Sequence, residues 1–307
     1  MSAGWVAGNV RAKAMLNRRI GPARARELAM CTSLGQAQQG LADSSYRRDV
    51  LAGQTLEESE FGLLANLLWQ LRVLAGWQPP TGAGTVRLLA GGFEVANICA
   101  QARMVSGLAV QPLFTLGGLG LAWSRLQVVT SRADLRAALA ASPWGDPDSD
   151  APADIAIGVQ LAWAHRVAAG APEAAGWASG GAALAVARRL LVERRGLTEA
   201  AQRQARRLLG DTALTATEVE SFAAALPVNA RWALSGVTSI DDLWRAEFEW
   251  WHHVERDALV LLNSSQFDSA APIAAIALLA VDVWRARAAL HIAAAGGAPL
   301  EVYDALV

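Results

Sequence analysis

Lysine is almost missing from this chain: Lys13 is the only one, and arginine carries the rest of the basic charge. An excess of either charge is missing too, with 27 basic against 28 acidic side chains. That balance excludes binding by phosphate neutralisation along a nucleic acid, and no nucleic acid is expected as partner. Cysteine is scarce, only Cys31 and Cys99 in 307 residues, which excludes a disulfide framework and makes a reducing cytosol the expected compartment. The opening residues reach Arg11 and Lys13 without the apolar stretch of a secretory leader, so none is expected. Long apolar runs are lacking as well. The best windows are 107–123, broken by Gln111, Pro112 and four glycines, and 271–283, which ends against Asp282, Arg285 and Arg287. A bilayer crossing needs ~20 apolar residues, so both read as buried core helices. Glycine and proline, at 27 and 11, are too few for a fibrous protein.

Apolar residues, 53% of the chain, are plentiful and the mean hydropathy is +0.24. By length alone the chain is enough for about two domains with sizeable cores. β-branched alternation is rare, while Ala, Leu, Arg and Glu recur at helical spacing, so the expected fold class is all-α. Residues 56–74 form one such helix, with Phe61, Leu64, Leu68 and Leu71 on a stripe. Turn-forming residues predict loops at 77–85, 142–152 and 170–181.

Internal repeats organise the rest. Thr-Ser occurs at Thr32-Ser33, Thr130-Ser131 and Thr238-Ser239, and the serine is followed three residues on by Gln36, Asp134 and Asp242. This is a capping-box pattern, in which each side chain satisfies a backbone donor near the other. Thirteen residues after the serine stand Tyr46, Trp144 and, in the third copy, His252. A second element recurs as Phe93-Glu94-Val95-Ala96-Asn97-Ile98 and Val281-Asp282-Val283-Trp284-Arg285-Ala286, and 183–195 has the same apolar rhythm without the acid at the corresponding position. Three helical units, 1–105, 106–196 and 197–307, are expected.

Chemistry-bearing motifs are few. Gly82-Ala83-Gly84-Thr85 and Gly117-Gly118-Leu119-Gly120 carry no phosphate-binding lysine and follow no strand, so no direct nucleotide binding is expected. Glu249-x-x-His252 has the spacing by which di-iron bundles aim two ligands inward, but no second motif accompanies it. A charged helix face is the plainer reading, and a metal protein or enzyme centred on Glu249 and His252 is the alternative. No nucleophile elbow is present, and no Cys-His or Ser-His pairing is indicated by spacing. Among twelve tryptophans, Trp69, Trp123, Trp163 and Trp284 read as core, while Trp77 and the Trp250-Trp251 pair are the better candidates for an exposed contact surface.

Taken in order, these segments resemble the C-type subunits of the V/A-type rotary ATPases, the family whose vacuolar members are the d-type subunits. The resemblance rests on Asn9–Leu16 as an opening helix, Thr32-Ser33 leading to Tyr46, the Phe93–Ile98 helix with Arg103, and Val281–Arg285 with Gly296–Glu301. It spans essentially the whole chain. Trp5 stands where the family often has Tyr, Ala183 where an acid is expected and Arg285 in place of Asn, as in a divergent bacterial branch. The resemblance implies three pseudo-repeated helical domains arranged as a funnel. It also implies a non-enzymatic rotor adaptor without cofactor or metal, peripheral on the cytoplasmic face of the cell membrane. The implied partners are D- and F-like central-stalk proteins and a c-like proteolipid ring moving protons or sodium. Ser33, Ser131 and Ser239, recurring once per unit, are the candidate partner contacts.

Overall fold

A computed structural model describes residues 3–263 and 266–297. It is all-helical, with no strand among the described residues. The α-helices are α1 (Ala3–Leu16), α2 (Gly21–Ala29), α3 (Leu34–Gly40), α4 (Leu56–Trp77) and α5 (Pro80–Leu89). They continue as α6 (Gly91–Met104), α7 (Trp123–Leu126), α8 (Arg132–Ala140), α9 (Pro152–Gly170) and α10 (Ala175–Ala187). The last are α11 (Glu199–Leu209), α12 (Val219–Ala225), α13 (Val228–Arg231), α14 (Leu243–Leu262) and α15 (Ala270–Ala294).

Two compact units divide the chain. The first joins residues 1–86 to 251–307, and the second is 87–250. In the first, α15 is the central post, packed against α1, α2, α3 and α4. Its Ala-, Ile-, Leu- and Val-rich sequence is buried on nearly every side, as for a helix apolar all round. α4 starts with a complete capping box: Thr55 Oγ1 accepts from Glu58 N at 3.2 Å, and Glu58 Oε2 accepts from Thr55 N at 2.8 Å. Its buried face runs through Leu63, Leu67, Leu71 and Leu74, so Phe61 and Leu64 of the expected stripe are only half-buried. In the second unit α9 packs against α6, α10 and α11. The core there gathers Leu161, Val186, Leu209 and Phe222, all essentially inaccessible.

Several expected loops and cores come out differently. The loop at 77–85 is only a turn, because α5 begins at Pro80, where a missing N–H leaves no helical bond unmade. The segment 170–181 is mostly helix. Its glycines serve packing: a Cβ on Gly180 would stand 2.7 Å from the Trp232 ring, and one on Gly181 would touch Trp250. The 107–123 window is not a buried helix. Gly107 takes φ +70° and ends the helix, and Leu108 and Val110 are exposed on the irregular stretch that follows. The 271–283 window does form a buried core helix, within α15, and the loop at 142–152 is present up to the start of α9. Ala298–Glu301 of the quoted closing segment lie outside the described residues.

Candidate functional site

The two repeated sequence elements meet around a buried carboxylate, once in each unit. In the first unit Asp282 projects from α15 to the start of α2. Its Oδ1 accepts from Gly21 N at 2.8 Å, and its Oδ2 accepts from Ile20 N at 3.1 Å and the Tyr46 hydroxyl at 2.8 Å. Local sequence makes the acid necessary. Ile20 has no capping side chain and Pro22 no N–H, so the first donors of α2 must find an acceptor elsewhere. Gly21 takes φ +71°, a conformation that suits glycine. The partial positive end of the helix favours the negative charge. Burial nonetheless dominates and raises the Asp282 carboxyl above the ordinary range, against the hydrogen bonds of Gly21, Tyr46 and Ile20. Burial also pushes the Tyr46 hydroxyl well above 10, helped by the neighbouring Asp282 charge.

In the second unit Glu94 projects from α6 to the start of α7. It accepts from Leu121 N, from Ala122 N at 2.7 Å and from Trp144 Nε1 at 3.0 Å. The turn presenting the aromatic residue is the same in both units. Ser44 Oγ donates to Leu41 O at 2.7 Å and accepts from Tyr46 N at 3.1 Å, while Ser142 Oγ donates to Leu139 O and accepts from Trp144 N at the same distances. Three residues after the acid the copies part. Asn97 clamps the backbone of Phe114 through both its N–H and its C=O, whereas Arg285 grips Glu255 with two 2.6 Å bonds. Every oxygen of the two carboxylates is engaged by donors of its own unit, so each group acts as an anchor between segments.

A third such cradle is not formed. Ala183 is buried and offers no acceptor. α14 runs unbroken from Leu243, so His252 lies inside a helix and packs edge-on to Trp284 at 5.9 Å. The serine caps share this gradation. Ser33 Oγ accepts from Gln36 N at 3.4 Å, and Ser131 Oγ accepts from Asp134 N at 3.1 Å and donates to Asp134 Oδ2 at 2.6 Å. Ser239 instead accepts from Asp241 N at 3.2 Å and opens only a 3-10 turn, so the expected pairing with Asp242 is replaced. The reciprocal half of the first box is displaced as well: Gln36 Oε1 accepts from Thr32 N, not from Ser33. Ser33 and Ser239 are exposed and Ser131 is half-buried.

Among the described residues no group of three or more His, Cys, Asp or Glu is placed to hold a metal. Glu249 is exposed. Trp250 and Trp251 are half-buried, not open contact surface: Trp250 Nε1 donates to Trp177 O, and Trp251 stacks on Trp284. Trp77 is exposed as expected, but so is Trp69, which was expected in the core. Trp123 is buried, and Trp163 and Trp284 are half-buried. Cys31 and Cys99 form no disulfide, and burial pushes the Cys99 thiol up to about 11, which makes it unreactive.

The carboxylate cradles are what sequence reasoning missed. Glu94 and Trp144 lie 50 residues apart, but Asp282 and Tyr46 are separated by 236, so the pairing closes from one end of the chain to the other. The signal available was that an acid recurs at Glu94 and Asp282 and an aromatic hydrogen-bond donor at Tyr46 and Trp144, each twice, with Ala183 and His252 at the remaining positions. No protein-family model matches the chain, and a comparison with curated proteins finds no match. No described helix is long and apolar enough to cross a membrane.

Proposed function

We propose that this chain is a non-catalytic adaptor in the central rotor of a V/A-type rotary ATPase, coupling a stalk to a membrane proteolipid ring. The observation that carries the reading is the recurrence of the carboxylate cradle. The Phe93–Ile98 and Val281–Arg285 elements that resemble the family are the ones that hold the capped turns and their aromatic residues in place. A part that transmits torque needs segments locked to one another, and a buried carboxylate taking three donors gives such a lock. On this reading the chain forms three pseudo-repeated helical domains arranged as a funnel, the middle one having Ala183 in place of the acid. It sits peripherally on the cytoplasmic face of the membrane, and Ser33, Ser131 and Ser239 lie at its partner contacts.

Affinity purification of the tagged chain from detergent-solubilised membranes tests the proposal. Stalk proteins and the proteolipid are expected in stoichiometric amounts. Repeated recovery of the chain alone, or of an assembly without a proteolipid, overturns it. Charge reversal beside Ser131 is expected to weaken that assembly while leaving the isolated chain folded.

A further inference from the structure

The first unit contains a cleft of about 920 Å³ whose lining holds six arginines, Arg11, Arg18, Arg19, Arg24, Arg47 and Arg48, against two aspartates, Asp43 and Asp49. In a chain whose formal net charge is −1, this is a pronounced local excess. Part of it is committed: Arg24 pairs with Glu27, and Arg19 Nε donates to Leu16 O. Arg11 lies over the Trp77 ring at 5.7 Å, and its Nε is buried without a hydrogen-bond partner. Arg18, Arg47 and Arg48 form no ion pair among the described residues.

The convergence follows from the Asp282 cradle. Asp282 ties Ile20 to Tyr46, and Arg18-Arg19 immediately precede the one while Arg47-Arg48 immediately follow the other. Two arginine pairs from separate segments are thereby brought to the same cleft. The second unit shows that the cradle does not require them. Around Glu94 the corresponding positions are Leu119, Gly120, Gly145 and Asp146, and Asp146 is bound by Arg136 at 2.8 Å. The cavity beside Trp144 is only about 190 Å³, with Arg203 its one arginine. The basic cleft is therefore an addition to a frame that folds without it, and gathering uncompensated like charges costs stability until an anion enters.

We infer that this cleft binds phosphoryl groups of multiple negative charge. Guanidinium forks match phosphoryl oxygens two at a time, so arginines converging on one cleft suit such a ligand. The volume lies in the range of small-molecule sites, and Met15 and the exposed Trp69 add apolar lining beside the arginines. That combination fits a phosphorylated compound with an apolar part, either free or as the headgroup of an anionic lipid. The inference does not rest on the rotor reading.

Two binding measurements on the full chain test it. Pyrophosphate is titrated by calorimetry, and vesicles of phosphatidylglycerol with phosphatidylcholine are assayed by co-sedimentation. The double variant R47Q/R48Q changes two exposed side chains without ion pairs. It is compared with R206Q/R207Q on α11, which carries the same charge change outside the cleft, and with R18Q as a second cleft variant. Circular dichroism confirms folding of each. Pyrophosphate binding that R47Q/R48Q weakens about tenfold or more, with the α11 control unchanged, supports a free phosphorylated ligand. The same pattern on vesicles supports a headgroup. No binding in either assay, or equal loss in the α11 control, overturns the inference.

Discussion

In the first unit a short acid, Asp282, holds the hydroxyl at the far tip of Tyr46; in the second a longer acid, Glu94, holds the indole N–H of Trp144. The glutamate reaches farther by one methylene, about 1.5 Å of C–C bond. The tryptophan donor sits correspondingly nearer its own backbone than the tyrosine hydroxyl does. Acid and aromatic have thus changed in opposite senses, and the span between the two segments is bridged in both. The turn behind the aromatic is preserved bond for bond, while the residue three positions past the acid is free to differ. What is held constant is that a buried carboxylate satisfies three donors, not the identity of the residues that provide it.

Emptying either cradle should be the most damaging change. D282A strands the N–H groups of Ile20 and Gly21 and the Tyr46 hydroxyl; E94A strands those of Leu121, Ala122 and Trp144. Each is expected to cost about 3–5 kcal/mol, from about 1–3 kcal/mol for each neutral donor left without an acceptor. Urea unfolding measures it, and a loss below about 1 kcal/mol in either unit would end the equivalence drawn between them.

Exchanging the reach is the finer probe. E94D should lose the Trp144 bond and D282E should overpack its site, each at roughly 1–3 kcal/mol. Adding Y46W to D282E should recover part of the loss, so the double-mutant cycle should show favourable coupling. Simple additivity would mean that the two lengths are not compensating.

Helix caps rank next. S131A removes a cap from a true α-helix and should cost about 1 kcal/mol. S239A, at a 3-10 turn, should cost about half as much, and thermal melts can order the two.

The gentlest changes should be in pH dependence, where two carboxylates of the first unit tilt stability in opposite directions. The folded-state Asp282 carboxyl is raised by burial, so its contribution is fully present below its ordinary value of 3.8 and lost as pH rises through the folded value. Burial alone would also raise Glu60, but the hydrogen bond from His291 and the Arg287 guanidinium hold it lower than 4.5. Its contribution is present above 4.5 and lost as pH falls through the lowered value. Urea midpoints followed from pH 3 to 7 should therefore show the difference between wild type and E60Q growing as pH rises. The difference between wild type and D282N should shrink over the same range.

Much of the frame was legible in the amino-acid order. Helical spacing with little β-branched alternation marked an all-α chain, and the caps at Ser33 and Ser131 were visible because capping is a contact between residues three apart. The misreadings share a cause. The glycines at 176, 180 and 181 looked like loop formers, yet all three lie inside α10, and at Gly180 a Cβ would stand 2.7 Å from the ring of Trp232, which is distant in sequence. Trp69 looked like core because its neighbours are apolar, but the buried face of α4 is set by what packs on it, and that face passes through Leu67, Leu68 and Leu71.

Composition and near-neighbour pattern were enough to set the all-α class, the starts of several helices and the recurring acid, serine and aromatic positions, since each of these depends on residues close along the chain. Three-dimensional packing was needed to settle that the recurring acid grips the recurring aromatic, that the third copy has no such grip, and that Arg18, Arg19, Arg47 and Arg48 share a cleft. A buried carboxylate takes whatever donors the fold brings within about 3 Å, and when those come from opposite ends of the chain no local pattern records the choice.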